Sequence, residues 1–304
     1  MSTNPPDTAQ SPVDDPEITY CYGHPDTPTR LRCTRCDKPI CPRCSVPASV
    51  GQHCVWCVAE ARKTAPKVRS TIRASAPVVT AIIAINVAVY VLESVLGDPF
   101  IARFAAVPPN IADGEWYRLF SPMFLHAPLG TRFGIFHILM NMYILFTFGP
   151  SVEGAFGRVR FLTMYLMAGF TGGVLSYLLG SCAVSGVGAS GAIFGIVGVL
   201  IVYLRRRRTS GHARAYLGNL TTFVLLNLLI GFAVPGIDNW AHIGGLLGGM
   251  ALGAGLDAGD GVPVSRARQV AVVGAVLAVG IALVMYRTDT MAPGCFAFLR
   301  QGLF

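Results

Sequence analysis

The stretch Val184-Ser-Gly-Val-Gly-Ala-Ser-Gly-Ala-Ile-Phe-Gly195 turns a polar, glycine-rich approach into an apolar helix with Ser190 at its mouth. That helix continues through Ile196 to Leu204 and stops at Arg205-Arg206-Arg207-Arg208. Four guanidinium groups cannot enter hydrocarbon, and such a block favours the cytoplasmic side. Ser190 therefore belongs near the opposite, external end. The rise from Leu204 to Ser190, at ~1.5 Å per residue, lifts the hydroxyl ~21 Å above the cytoplasmic edge of a ~30 Å layer. It ends roughly 10 Å below the outer surface.

A second polar residue lies at matching depth. In the helix that begins near Asn239-Trp240, His242 is followed by an apolar, glycine-rich run to Asp257, which puts it ~22 Å above the same edge. Helix-lining serines and histidines often only hydrogen-bond a neighbour. An ionisable group inside a membrane is costly, however, and usually faces the bundle interior or a wet cavity. Ser190 and His242 at one level, both beside glycines, read as a catalytic pair.

Composition agrees with a membrane protein. The 304 residues are 53% hydrophobic and 13% charged, with a mean hydropathy of +0.54. The net charge of +8 sits at helix ends instead of covering one face, so positive-inside topology explains it and nucleic acid is not expected as a partner. Residues 1–20 combine prolines and acids without a basic or apolar core, which reads as a disordered tail and not as a signal peptide.

Residues 21–57 hold Cys21-x-x-His24, Cys33-x-x-Cys36, Cys41-x-x-Cys44 and Cys54-x-x-Cys57. Four pairs give eight ligands, enough for two tetrahedral zinc sites, because a two-residue spacing lets a tight turn aim both ligands at one ion. Disulfides are the rival reading. A chain start without a signal peptide, followed by a basic flank, favours the reducing cytosol and hence zinc. His53 adjoins Cys54 and is an alternative ligand in the fourth pair.

A basic linker, 58–75, leads to Pro77 and a first span over Val78 to Leu96. The segment Gly97 to Arg132 is expected outside, lying in the interface with Trp116 and Arg118. A second helix, about Phe133 to Phe148, carries His137 and Asn141, whose i, i+4 spacing aims both at one place. Gly149 to Glu153 should bring the chain round inside, and a third helix follows over Phe161 to Gly180. The Ser190 helix is the fourth. A fifth, about Ala215 to Val234, precedes the His242 helix. Arg266 and Arg268 mark the last inner turn before a seventh helix, about Val270 to Met285. Seven spans place Cys182 and Cys295 outside, where pairing is open to them, although sequence gives no distance between them.

Two soluble motifs fail on context. Gly186-Val-Gly188-Ala-Ser-Gly191 fits G-x-G-x-x-G, yet no strand precedes it and arginines stand where an acidic ribose-binding residue belongs. It is not a G-x-S-x-G elbow either, since Ala192 takes the last position.

Gly188-Ala-Ser190-Gly191, Ala241-His242-Ile-Gly-Gly245, His137-x-x-x-Asn141 and Trp116-x-Arg118, in that topology, resemble the rhomboid intramembrane serine proteases over roughly residues 76–257. Glu153 also resembles the family's glutamate at the inner end of the second helix. Phe194 departs from members with a tyrosine beside the histidine, and the segment between His126 and His137 lacks a further histidine common in the family.

The resemblance implies an all-α polytopic membrane protein: a six-helix core, 76–257, then the seventh helix and an external tail, 258–304, behind a small cytosolic zinc-binding domain. It implies Ser190 as nucleophile and His242 as base in a dyad with no acidic third member, Asp238 serving as a helix cap. Imidazole orientation falls to packing on Phe194. His137, Asn141 and the Ser190 N–H are the oxyanion donors. Gly188 lies beside the site, and Gly191 and Gly245 allow the two helices to close up. Transmembrane proteins are the implied substrates, cut near the external face of the cell membrane with no cofactor for catalysis. The zinc pattern resembles a cross-braced, B-box-like finger, with the first and third pairs on one ion and the second and fourth on another. It would hold two structural Zn2+ and offer a surface to a cytosolic protein partner. A catalytically silent, rhomboid-like adaptor that binds client helices is the competing class.

Overall fold

The computed structural model describes residues 19–48, 50–64, 76–131, 134–182, 185–207, 211–257, 264–291 and Cys295. Most of the acidic tail and of the basic linker, Phe133 at the expected start of the second helix, Arg208, and much of 258–304 lie outside those residues. The chain divides into two units, Met1–Arg69 and Ser70–Phe304.

The first unit has almost no hydrocarbon core. Its buried cluster is Cys21, Cys33, Ile40, Cys41, Cys44 and Cys54, with Leu31 packed alongside. Strands β1 (Thr19–Cys21) and β2 (His24–Thr29) pair antiparallel, as do β3 (Ser45–Pro47) and β4 (Gln52–Cys54), and α1 (Val55–Thr64) follows. These short hairpins belong to the small domain that precedes the all-α membrane part. The β1–β2 turn brings Cys21 round to His24, Cys41 and Cys44 flank a 3₁₀ turn, and Cys54 and Cys57 flank the junction of β4 with α1.

The second unit is helical: α2 (Pro77–Leu96), α3 (Asp98–Phe104), α4 (Pro108–Ala112), α5 (Gly134–Phe156), α6 (Arg158–Leu179), α7 (Ser190–Arg206), α8 (Gly211–Ala233), α9 (Asn239–Leu256) and α10 (Arg266–Thr290). Two 3₁₀ turns, Trp116–Leu119 and Ser121–Phe124, lie between α4 and α5. By length and composition α2, α5, α6, α8 and α10 can cross a bilayer. The expected seven spans thus comprise these five and the two helices of the serine and histidine. The latter are shorter or richer in glycine because they are built to pack on protein instead of lipid. α7 is buried from Gly191 through Ile201, while α2, α5 and α8 expose apolar side chains such as Val91, Phe146 and Leu229. An apolar row left open in this way is a lipid-facing surface.

One boundary differs from expectation. The second helix does not end at Phe148 but runs through Pro150 to Phe156, and the chain reverses at Gly157, whose φ of 83° few other residues adopt. The added turns carry Glu153 inward, where its carboxylate accepts the N–H groups of Val78 and Val79 at 3.1 and 2.9 Å. Glu153 therefore caps α2, whose first donors have no intrahelical partner.

Candidate active site and metal centres

Ser190 is the first residue of α7 and His242 the fourth of α9. What lets these helices meet is the absence of side chains between them. A Cβ on Gly245 would lie 1.9 Å from the Gly191 carbonyl oxygen, and one on Gly249 would lie 2.0 Å from that of Gly195. At this backbone separation His242 Nε2 and Ser190 Oγ are 2.9 Å apart. Acceptance of the serine proton by Nε2 puts the imidazole's own proton on Nδ1.

The ring is oriented by stacking. Phe194, one turn along α7, lies parallel to it, with 4.3 Å between centroids and 4° between planes. His242 Nδ1 is buried with no hydrogen-bond partner among the described residues. Asp238 is occupied elsewhere: it N-caps α9 by accepting from Ala241 N at 3.0 Å, and it also accepts from the Ser176 hydroxyl. The arrangement is a pair and not a triad.

His137 stands on the other side of Gly188. Gly188 has φ of 133°, and a Cβ there would meet His137 Nε2 at 2.9 Å and Ser190 Oγ at 3.7 Å. The Ala127 N–H donates to His137 Nδ1 at 3.2 Å, which leaves the ring proton on Nε2, the nitrogen that faces Gly188. Asn141 sits one turn further along α5 and spends one amide hydrogen on the His137 carbonyl at 2.8 Å, keeping the other. No side chain caps the start of α7, so its first N–H groups are open to an anion.

The segment between α2 and α5 is organised by Arg118, which is 3% exposed. It donates to Ala102 O and Ala105 O at 2.7 Å each and pairs with Glu115 at 2.5 Å, and that bond holds the Glu115 carboxyl below its usual range. Two polar residues here escaped sequence reading. Glu93, buried in α2, accepts the His126 N–H at 3.1 Å, and the His126 ring packs 5.3 Å from that of His137. The available signal was Glu93 itself, an acid alone in an apolar span.

Cys182 and Cys295 are joined by a disulfide, their Cα atoms 5.6 Å apart. Beside it the Tyr177 hydroxyl meets the Thr288 hydroxyl at 2.9 Å and Arg287 Nε donates to Tyr177 O at 3.3 Å. α10 is thus fastened to the C-terminal end of α6.

In the first unit Cys21, His24, Cys41 and Cys44 form one group and Cys33, Cys36, Cys54 and Cys57 another, with the ligand atoms of each group within 4.8 Å of one another. A tetrahedron with metal–sulfur bonds of about 2.3 Å has edges of about 3.8 Å. The Cys36 and Cys54 sulfurs are 3.8 Å apart, and His24 Nδ1 lies 3.8, 3.5 and 3.2 Å from Cys21, Cys41 and Cys44. Both groups fit a tetrahedral metal ion. Burial raises the Cys21 and Cys33 thiols, but hydrogen bonds such as that from the Cys54 N–H to Cys33 outweigh it and bring both down to about 6. His53 belongs to neither group. It precedes Cys54 in β4, and neighbouring strand residues face opposite ways, so when Cys54 turns inward His53 turns out.

Fold and site together describe an integral membrane protein with a serine–histidine pair inside its bundle. The rhomboid domain profile matches residues 113–258. Rhomboid protease GluP of Bacillus subtilis (strain 168) is 39% identical over 173 residues, 57% of this chain and 32% of GluP. The YdcA rhomboid of the same organism is 33% identical over 180 residues, 58% of this chain and 86% of YdcA. RHOMBOID-like protein 6, mitochondrial, of Arabidopsis thaliana is 39% identical over 144 residues, 47% of this chain and 44% of that protein. The chain thus spans about a third of GluP's length and most of YdcA's. It belongs to the rhomboid family.

Proposed function

We propose that this chain is an intramembrane serine endopeptidase that cuts transmembrane segments of other membrane proteins near the external face. The observation that carries the reading is the 2.9 Å contact between Ser190 Oγ and His242 Nε2, in a bundle interior with Phe194 stacked on the ring. His242 Nε2 takes the hydroxyl proton as Oγ adds to a substrate carbonyl carbon. The resulting oxyanion is met by His137 Nε2–H, the remaining Asn141 N–H and the Ser190 N–H. Collapse expels the amine, which takes the proton back from His242, and water hydrolyses the acyl-enzyme by the same route. A peptide bond inside an intact helix is shielded by its neighbours, so substrates with small or helix-breaking residues near the cut are favoured. A silent adaptor could lose either dyad residue freely, and here both are present in bonding geometry.

The same reading extends to the rest of the chain. Ser190, His242, His137 and Asn141 do the chemistry, while Gly188, Gly191, Phe194 and Gly245 shape the site. Residues 21–57 hold two structural Zn2+ in all-protein coordination, which leaves no open position for chemistry. The N-terminus faces the cytoplasm of a cell membrane and the C-terminus the outside. Arg158, Arg160, Arg206, Arg207, Arg266 and Arg268 gather at one set of helix ends, and the Cys182–Cys295 disulfide, which needs an oxidising compartment, belongs to the other.

The test is cleavage of a single-span reporter by the detergent-purified protein and by Ser190→Ala. Cleavage by the wild type that Ser190→Ala abolishes supports the proposal. Cleavage that persists in Ser190→Ala, or a folded wild type inert toward reporters and fluorophosphonates alike, overturns it.

A further inference from the structure

The contacts between α7 and α9 advance in step along both helices: Gly191 meets Ala241, Gly195 meets Gly245, Gly198 meets Leu246, and Val199 meets Gly253. The two helices are therefore parallel, and their C-termini lie together. Parallel packing brings two partial negative charges side by side and leaves the last carbonyls of both helices without helical partners. Arginines answer both problems. Arg206 donates to Ala254 O at 3.1 Å and to Asp257 O, and Arg268 of α10 donates to Ala254 O at 3.4 Å.

Arg206 also lies 3.8 Å from an Asp257 carboxylate oxygen, but Arg207 binds that carboxylate more closely. It holds both carboxylate oxygens of Asp257, at 2.7 and 3.0 Å, with its guanidinium 3.9 Å over the Tyr203 ring. An acid at a helix C-terminus opposes the helix dipole, so Asp257 does not serve α9 by itself. It serves as the partner of an arginine on α7. A planar fork that binds two oxygens while stacked on a ring has one geometry, which lysine could not reproduce.

The need for such a device follows from the seam. Side chains that interdigitate resist sliding of one helix along another, and a glycine-on-glycine contact has few to offer. Contact there fixes the distance between the axes, and the axial register falls to the few side chains that cross it, such as Phe194 on His242, and to polar stops at the ends. We propose that the Arg207–Asp257 pair is a positioning clamp: it sets the register of α7 against α9, and with it the separation of Ser190 Oγ and His242 Nε2 at the other end of the seam. A slip of one residue is ~1.5 Å, enough to break a 2.9 Å hydrogen bond. The proposal rests on Ser190 and His242 being the dyad.

The experiment compares wild type, Arg207→Gln, Asp257→Asn, Arg207→Lys and the exchanged double variant Arg207→Asp with Asp257→Arg, as full chains. Arg205, Arg206 and Arg208 keep the inner charge, so insertion is preserved. The readouts are kcat and KM on a reporter helix, the rate of fluorophosphonate attachment to Ser190, and hydrogen exchange of peptides covering 190–196 and 239–246. Each single variant should lose about ten- to a hundredfold in kcat and in labelling rate, with KM within about twofold, since an ångström of misplacement costs on that scale. Exchange at both peptides should rise, and the exchanged pair, whose new arginine faces Arg206, should recover part of each loss. Singles with wild-type kcat and exchange, a loss confined to KM, or an exchanged pair no better than the worse single overturn the clamp. If the wild type itself neither cleaves nor labels, the dyad reading has failed. The clamp is then judged on exchange alone, where unchanged protection in the singles refutes it.

Discussion

The rings of Phe194 and His242 lie 4.3 Å apart and within 4° of parallel, on two different helices. In the proposed mechanism this stack takes the orienting role that an acid fills in a catalytic triad, because no acceptor reaches His242 Nδ1 among the described residues. Stacked aromatic pairs contribute about 0.5–1.5 kcal/mol beyond their buried area, which is about two- to twelvefold in rate. Phe194→Leu, which keeps bulk but not the ring, should lower kcat by about that factor with KM little changed. Phe194→Tyr should stay near wild type. Steady-state kinetics on a reporter helix decide it, and equal rates for the leucine and tyrosine variants would remove the stack from the mechanism.

The proposed oxyanion donors should be unequal. Asn141 has already committed one hydrogen to His137 O, whereas His137 offers Nε2–H with its tautomer fixed by the Ala127 N–H. Loss of one such donor in a soluble protease costs ~10²–10³ in turnover. Asn141→Ala should fall at or below the lower end of that range because two donors remain, and His137→Ala should lose more. His137→Ala also empties the space beside Gly188, so thermal unfolding of each variant must accompany the kinetics. The order reverses if Asn141 is the principal donor.

What was legible in the sequence, and what was not, divides along range of interaction. Ser190, His242, His137, the cysteine pairs and the capping role of Asp238 each announce themselves within a few residues, through spacing, depth or a glycine at i+1. The end of the second helix did not, because Pro150 removes one N–H yet the helix carries past it to bring Glu153 beneath α2. Contacts such as Glu93 with His126 or Arg207 with Asp257 depend on packing between helices distant in sequence, which no periodicity encodes. The same holds for Cys182 and Cys295, 113 residues apart. Compartment allowed their pairing and only the fold brings them together.

That disulfide gives a test of orientation. An impermeant maleimide applied to intact cells should label nothing on this chain, since the two cysteines proposed to lie outside are bonded and the remaining thiols belong to the clusters proposed to lie within. After mild reduction at the cell surface it should label Cys182 and Cys295 and no others. Labelling of Cys33 or Cys54 in unbroken cells would invert the topology. The Cys182→Ser variant should also unfold at lower temperature, because a bond closing so long a loop removes much of the freedom of the unfolded chain, about 4–5 kcal/mol in the chain-entropy estimate.

The cysteine unit and the helical unit should separate in function. The first is held by its two metal-ligand groups, with Ile40 and Leu31 as the main hydrocarbon among them, so loss of metal removes most of its reason to fold. The full chain should bind two zinc ions, measurable by elemental analysis, and lose both in a variant without residues 1–60. That variant should keep reporter cleavage close to wild type in detergent, because Ser190, His242, His137 and Asn141 all lie in the second unit and a filled four-ligand site has no position for water. Its effects should emerge in cells, as altered partner choice or regulation. Chelation of the intact 304-residue chain gives the complementary test: metal should leave and cleavage continue. A truncated protein that is folded by its thermal transition yet cannot cut, or a chelator that silences the truncated core, would mean that metal takes part in the chemistry.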